Sequence, residues 1–491
     1  MALAVAGVLC APLSAAPARR DKALEAELLA HIKELASDDF AGREPGTEGE
    51  AKTLRYLGKQ WFDLGLVSGT NDPGHPWFSP VTLVAREPAA SAALFVHKGK
   101  RVFVPRDALL MLTSGKRALV ENAPLLFVGK GAGIERLARA ELAGRVAVLL
   151  DGTVHDSERQ NALLKAGAAA VLTVLDGDRT LAQVSVRRKR SGYGLATDSL
   201  GGDLEGFITP EGFDRLLAAA GTNLAVLRAD AVDPAFVPRP LELTATLEAT
   251  TRETTIRTYN LIGKLPGRRP DAGAVMFLAH WDHFGTCAAP PAPHLICNGA
   301  IDNASGVAAL TAVASRLVKG PQLDRDIYFV ATTAEEMGLL GATALAENPP
   351  LPLKQVVAAF NIDSVAIAPP GTPLAIVGRG MTRLDPQILA VARASRRSVV
   401  SGDGANAYVK RQDGWALLQH DVPAVMVTSA YGNLDLLEKF FAGDYHRPTD
   451  VVKPGLELGG AAEDVAMLVA LGRWFADPRK VALDRPEAQG R

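Results

Sequence analysis

The chain predicts an α/β fold: a mostly parallel central sheet flanked by helices, interrupted by a smaller, β-rich α+β insert. Three observations carry this. Residues 243–480 alternate short apolar strands with helical stretches, the pattern of right-handed crossovers. The strand candidates there are unbroken apolar runs, such as Val275-Met276-Phe277-Leu278-Ala279, as strands covered on both faces require. Residues 88–242 change character, to short β-like runs broken by Gly and Asp. The whole chain has 491 residues, 48% hydrophobic and 22% charged, a globular composition large enough for more than one domain. Lys and Arg number 53 against 54 acidic residues, a formal charge of −1. The basic excess of a nucleic-acid binder is missing, so no such partner is expected.

In chain order, residues 1–18 read as a signal peptide. The run ALAVAGVLCAPLSAA at 2–16 is apolar, ends in small residues and is too short to span a bilayer, though no Lys or Arg precedes it. Export to the periplasm or beyond is expected, with no stable membrane anchor. Residues 19–87 open the main domain. Leu24, Leu28, Ile32 and Leu35 form one helical stripe. Thr47-Glu48-Gly49-Glu50 fits a capping box ahead of a second helix carrying Leu54, Leu57, Trp61 and Leu64. A short strand follows at 81–84. The insert, 88–242, holds strand candidates at 93–96, 101–104, 125–128 and 145–150 and a helix at 160–166. The basic run Arg187-Arg188-Lys189-Arg190 reads as an exposed loop.

In the third block, strands are expected at 275–279, 326–332, 356–362, 374–377 and 424–427. Val307, Leu310, Ala314 and Leu317 mark a helix, and another closes the domain near 465–475, before a tail at 481–491. Cys287 and Cys297 sit in the proline-rich loop CAAPPAPHLIC, where an oxidising compartment would join them.

Polar residues gather where these strands end, which is where open α/β sheets bind ligands. His280-Trp281-Asp282-His283 ends the first strand, and Glu335-Glu336 follows the 326–332 strand. Asp363 ends the next, Asp302 precedes a helix, and His446 lies in Asp444-Tyr445-His446-Arg447-Pro448-Thr449-Asp450. Alone, Asp302 reads as an N-cap and the paired glutamates as a solvated turn. Together, buried carboxylates would repel or be driven neutral unless cations joined them. Two divalent cations against Asp302, Glu336 and Asp363 leave one positive charge for a hydroxide. Nitrogen and oxygen donors without thiolates suit zinc.

With these segments in this order, the chain resembles the co-catalytic zinc metallopeptidases, the family of secreted bacterial aminopeptidases, glutamate carboxypeptidases and transferrin-receptor-like proteins. The middle block is similar to a protease-associated module through Leu142-Ala143-Gly144-Arg145-Val146 and the segment 162–171. The resemblance implies two Zn2+ per chain: one on His280 and Asp363, the other on Glu336 and His446, with Asp302 bridging. It makes Glu335 the general base and Asp282 the acid that orients His280, and it implies a cis peptide between Asp302 and Asn303. Ile301 stands where the family often has another acid, and Arg411-Gln412-Asp413 replaces a common Ser-Asp pair. His283, His294 and His420 match no ligand position and read as structural. The implied activity is hydrolysis of peptides from their amino end. A carboxypeptidase or dipeptidase of the same family, a single-zinc glutaminyl-cyclase-like acyltransferase and a ligand-free scaffold remain as alternatives. Oligomeric state is not legible.

Overall fold

The computed structural model describes residues 20–483 except 131–138, 153–155, 178, 191, 199–202 and 234. The segment read as a signal peptide and most of the tail lie outside the described residues. Two compact units form, Met1–Val81 with Arg257–Arg491, and Thr82–Ile256.

The first unit is built on the sheet that the alternation predicts. Strands Ala424–Thr428, Val356–Asn361, Ala274–His280 and Asp326–Thr332 lie side by side and parallel. Ala375–Val377 pairs antiparallel at one edge; at the other, residues 261–265 of the long strand Arg239–Leu265 pair antiparallel with Asp326–Thr332 and carry the short strand Val67–Ser68 on their outer side. Every residue of the four parallel strands is buried. That explains why they read as continuous apolar runs rather than alternating ones. Register fixes the functional edge. His280 pairs with Thr332 and Leu278 with Asn361, so neighbouring strands release their chains at one level.

On one sheet face the rings of Phe277, Phe329 and Phe360 stack, with centroids 5.8 and 5.5 Å apart. Helices Lys22–Leu35, Gly306–Val318 and Gly459–Phe475 contribute to the same core. The stripe Leu24, Leu28, Ile32 and Leu35 is wholly buried in it. Trp61 packs edge-on to Phe329 and donates its Nε1–H to Thr311 Oγ1 at 3.1 Å. That bond satisfies an indole that burial would otherwise leave unpaired.

The capping box does not form. Thr47 precedes helix Glu48–Asp63, but its hydroxyl donates to the Glu44 carbonyl instead of capping. Glu50 accepts from the Gly46 N–H and from the hydroxyl of Thr258. A buried carboxylate takes the strongest donors within reach, and here a distant threonine supplied one that local spacing could not reveal.

The second unit has its own parallel core. Arg117–Phe127, Val146–Leu150, Ala170–Val174 and Leu204–Ile208 run parallel in that order, with Leu109–Thr113 antiparallel on the last. Phe127, Val148, Leu172, Ile208 and Phe213 fill its interior. The basic run read as a loop is the end of helix Leu181–Arg190, since a Leu-Ala-Gln-Val start supplies helix formers ahead of the charges.

Cys287 and Cys297 are joined by a disulfide, with Cα atoms 5.7 Å apart. The bridge closes a loop flanked by the paired segments Gly285–Thr286 and Ile296–Cys297. No helix among the described residues is long and apolar enough to cross a membrane.

Two outcomes follow for stability. Phe277→Ala removes the central ring of the stack and should lower unfolding free energy by about 3–5 kcal/mol in a denaturant titration. Replacing both cysteines by serine should cost about 2–3 kcal/mol, and non-reducing mass spectrometry should find both cysteines in one cross-linked peptide.

Candidate metal centre

His280 is the last residue of its strand and Asp363 follows Val356–Asn361 by two, so the level register brings both side chains to one edge. Asp302 arrives on the turn into helix Gly306–Val318, and its peptide bond to Asn303 is cis. The His280 Nε2 lies 3.3 Å from Asp302 Oδ1 and 3.6 Å from Asp363 Oδ1. The His446 Nε2 lies 3.3 Å from Asp302 Oδ2 and 2.9 Å from Glu336 Oε2. Each oxygen of one carboxylate therefore faces a different imidazole. Two clusters with metal-ligand spacing result, His280/Asp302/Asp363 and His283/Asp302/Glu336, and they share Asp302.

Several of these atoms are buried and make no well-aligned hydrogen bond among the described residues, although some lie at ion-pair distance from one another: His280 Nε2, Asp302 Oδ2, Glu336 Oε1, His446 Nε2 and both ring nitrogens of His283. Buried polar atoms are nearly always paired. Orphans converging on one place from imidazoles and carboxylates are what a cation would satisfy. The donor set, nitrogen and oxygen without sulfur, fits zinc.

The electrostatics point the same way. Burial would raise Asp302, yet its contacts with His280 and His446 hold it well below the usual carboxylate range. Glu335 goes the other way. Burial lifts its carboxyl well above the ordinary value, and Glu336, Asp413 and Asp363 add to the lift against the pull of His280. Its Oε2 stands 4.0 Å from His280 Nε2, beside the cluster rather than between its ligands. A carboxylate poised to hold a proton next to a cation site suits general-base work.

Asp282 lies behind the ligands. The His280 Nδ1 meets the Asp282 main-chain carbonyl at 3.2 Å, while the carboxylate is 3.7 Å away. That carboxylate accepts instead from the N–H groups of Glu335 and Glu336, at 3.1 and 3.3 Å. It thereby holds the turn that presents both glutamates. Burial pushes its pKa up to about 7. Asp413, from the segment that departs from the Ser-Asp pattern, accepts from the Thr332 hydroxyl at the end of the neighbouring strand.

Three side chains escaped sequence reasoning. His283, set aside as structural, is fully buried with Nδ1 2.6 Å from Glu336 Oε1. Asp450 accepts from the N–H groups of Ile301 (2.9 Å) and Asp302 (3.0 Å), fixing the turn that carries the shared carboxylate. Arg43, from the first block, lies buried behind the same loops. A His three residues after His280 was a visible signal. Asp450 closed the His446 motif without an assigned role, and nothing marked Arg43. His294 bridges Asp38 and the Pro448 carbonyl, away from the cluster.

Residues 260–467 match the model of Peptidase family M28, a co-catalytic zinc metallopeptidase family. That span contains every candidate ligand from His280 to His446. The chain is 27% identical over 265 residues to Aminopeptidase YwaD of Bacillus subtilis (strain 168), an alignment covering 53% of this chain and 48% of that protein. The chain thus spans about half the length of this curated relative. Among solved structures, an aminopeptidase from Aneurinibacillus sp. strain AM-1 has a TM-score of 0.55 at 20% identity, covering 94% of this chain and 96% of that one. BSAP, a zinc aminopeptidase from Bacillus subtilis, has a TM-score of 0.46 at 17% identity, covering 95% and 96%. The first of these shows a shared fold.

Asp450→Asn leaves one acceptor for two N–H groups. It should weaken zinc binding roughly 10–100-fold, read by competition with a chromophoric chelator. Unchanged affinity would mean that the Asp302 turn holds itself.

Proposed function

We propose that this chain is a zinc-dependent aminopeptidase of the M28 type, removing residues from the amino end of peptides. The observation that carries it is Asp302, whose two oxygens face two different imidazoles, with Glu335 Oε2 at 4.0 Å from the nearer of them. In this reading His280, Asp363 and Asp302 hold one zinc, and Glu336, His446 and Asp302 hold a second. His283 supports the second through Glu336. Bound there, zinc would polarise the scissile carbonyl and lower the pKa of the attacking water. Glu335 accepts the water's proton on its carboxylate, the hydroxyl adds to the carbonyl carbon, and the C–N bond breaks. Glu335 then returns the proton to the leaving amine nitrogen. Asp282 keeps the turn bearing Glu335 and Glu336 in place and anchors His280 through its own carbonyl. The name and 27% identity of the curated relative favour an aminopeptidase over a carboxypeptidase or cyclase. The Cys287–Cys297 bridge supports export into an oxidising compartment.

A panel of peptides with free and acetylated amino ends tests the activity. Cleavage should be confined to free amino ends and vanish on chelation, returning with zinc. Cleavage of acetylated peptides from the carboxyl end would overturn the aminopeptidase reading, and one zinc per fully active chain would overturn the paired-metal one. Glu335→Gln should retain its zinc and lose about 10²–10⁴-fold in kcat.

A further inference from the structure

We propose that Arg43 is a positioning residue of the metal centre, its guanidinium locking together the two loops that carry His280 and Asp302. The inference rests on the zinc reading above.

The side chain is 1% exposed. Its Nε donates to the Trp281 carbonyl at 2.8 Å, Nη1 to Leu35 (2.8 Å) and Asn298 (2.5 Å), and Nη2 to Gly299 (3.0 Å). Trp281 directly follows His280, and Asn298 and Gly299 lead into Asp302. One planar group thus spans the main chain on both sides of the disulfide-closed loop and ties it to the end of helix Lys22–Leu35. The Arg43 carbonyl in turn accepts from the His283 N–H at 3.4 Å.

The backbone is shaped to deliver this side chain. Ala41, Gly42 and Arg43 have φ of 45°, 70° and 53°, a left-handed curl that L residues seldom adopt. A Cβ at Gly42 would stand 2.5 Å from the Cys297 carbonyl oxygen and 2.8 Å from the Gly285 Cα, so only glycine lets the curl press against the loop.

The guanidinium makes no ion pair among the described residues. A buried cation bound only to carbonyls is expensive unless the surrounding field favours it. Burial lowers its pKa to about 10, with Asp450, Asp282, Asp302 and Glu336 working in the opposite direction. It therefore stays charged at neutral pH, a fixed positive charge near the acids of the centre. Lysine keeps that charge but lacks the rigid fork of donors, so charge and geometry separate by substitution.

Arg43→Lys and Arg43→Met in the full chain, with zinc affinity read by chelator competition and Tm measured on the metal-stripped protein, test this. The lysine variant should keep the metal-stripped Tm within a few degrees yet bind zinc roughly 10–100-fold more weakly, with kcat restored by excess zinc. Wild-type affinity in the lysine variant, or a drop in Tm with affinity unchanged, would overturn the proposal. Hydrogen exchange on the metal-stripped proteins adds a readout independent of zinc: the amides of 281–283 and 299–302 should exchange faster in Arg43→Lys than in the wild type, and equal exchange would overturn the proposal. Wild-type protein that takes up no zinc would instead sink the metal reading itself.

Discussion

One carboxylate organises this protein. Asp302 is 3% exposed, and each of its oxygens looks at an imidazole from a different loop. Glu335, Glu336, Asp363, Asp282 and Asp450 crowd the same edge of the sheet. So many acids in a low-dielectric interior cannot all be ionised without positive charge among them. The parallel sheet supplies the geometry that brings them together, and bound cations would supply the charge they lack. Neither alone makes a stable arrangement. Buried charge is kept only where it is compensated, so this centre uses some of the folding stability that its phenylalanine core provides.

Much of this was legible because the sheet and the site obey the same rule. A buried parallel strand is an apolar run, and the first polar residue after it marks its carboxyl end. His280 after Leu278-Ala279, Glu335 after the Tyr328–Thr332 stretch and Asp363 after Phe360-Asn361-Ile362 announce themselves by that contrast. The family resemblance assigns Glu335 and Glu336 different roles, which composition and spacing alone could not do.

What stayed hidden depends on contacts to main-chain atoms far away in sequence. Arg43 reaches carbonyls 238 to 256 positions further on, and a carbonyl carries no side-chain signature to search for. Asp450 serves the amides of Ile301 and Asp302 across about 150 positions. Glu50 accepts from the Thr258 hydroxyl, 208 positions further on, instead of completing the capping box. His283 differs. Its type and its place beside His280 were in plain view, and only the fold showed that its ring turns toward Glu336 rather than into a packed interior.

The order of the chain sets a timetable for synthesis. The stripe Leu24, Leu28, Ile32 and Leu35 packs in the core that also holds Val307, Leu310 and Leu317, and everything from Thr82 to Ile256 emerges between them. At roughly 5–20 residues per second, the first helix waits on the order of ten seconds or more for the strands and helix that cover it. The intervening unit has a hydrophobic core of its own and can close in that interval. An amphipathic helix whose apolar stripe lacks its partners is a natural ligand for a chaperone. The centre described here is then among the last features to exist, since none of its ligands lies ahead of the helix that has been waiting.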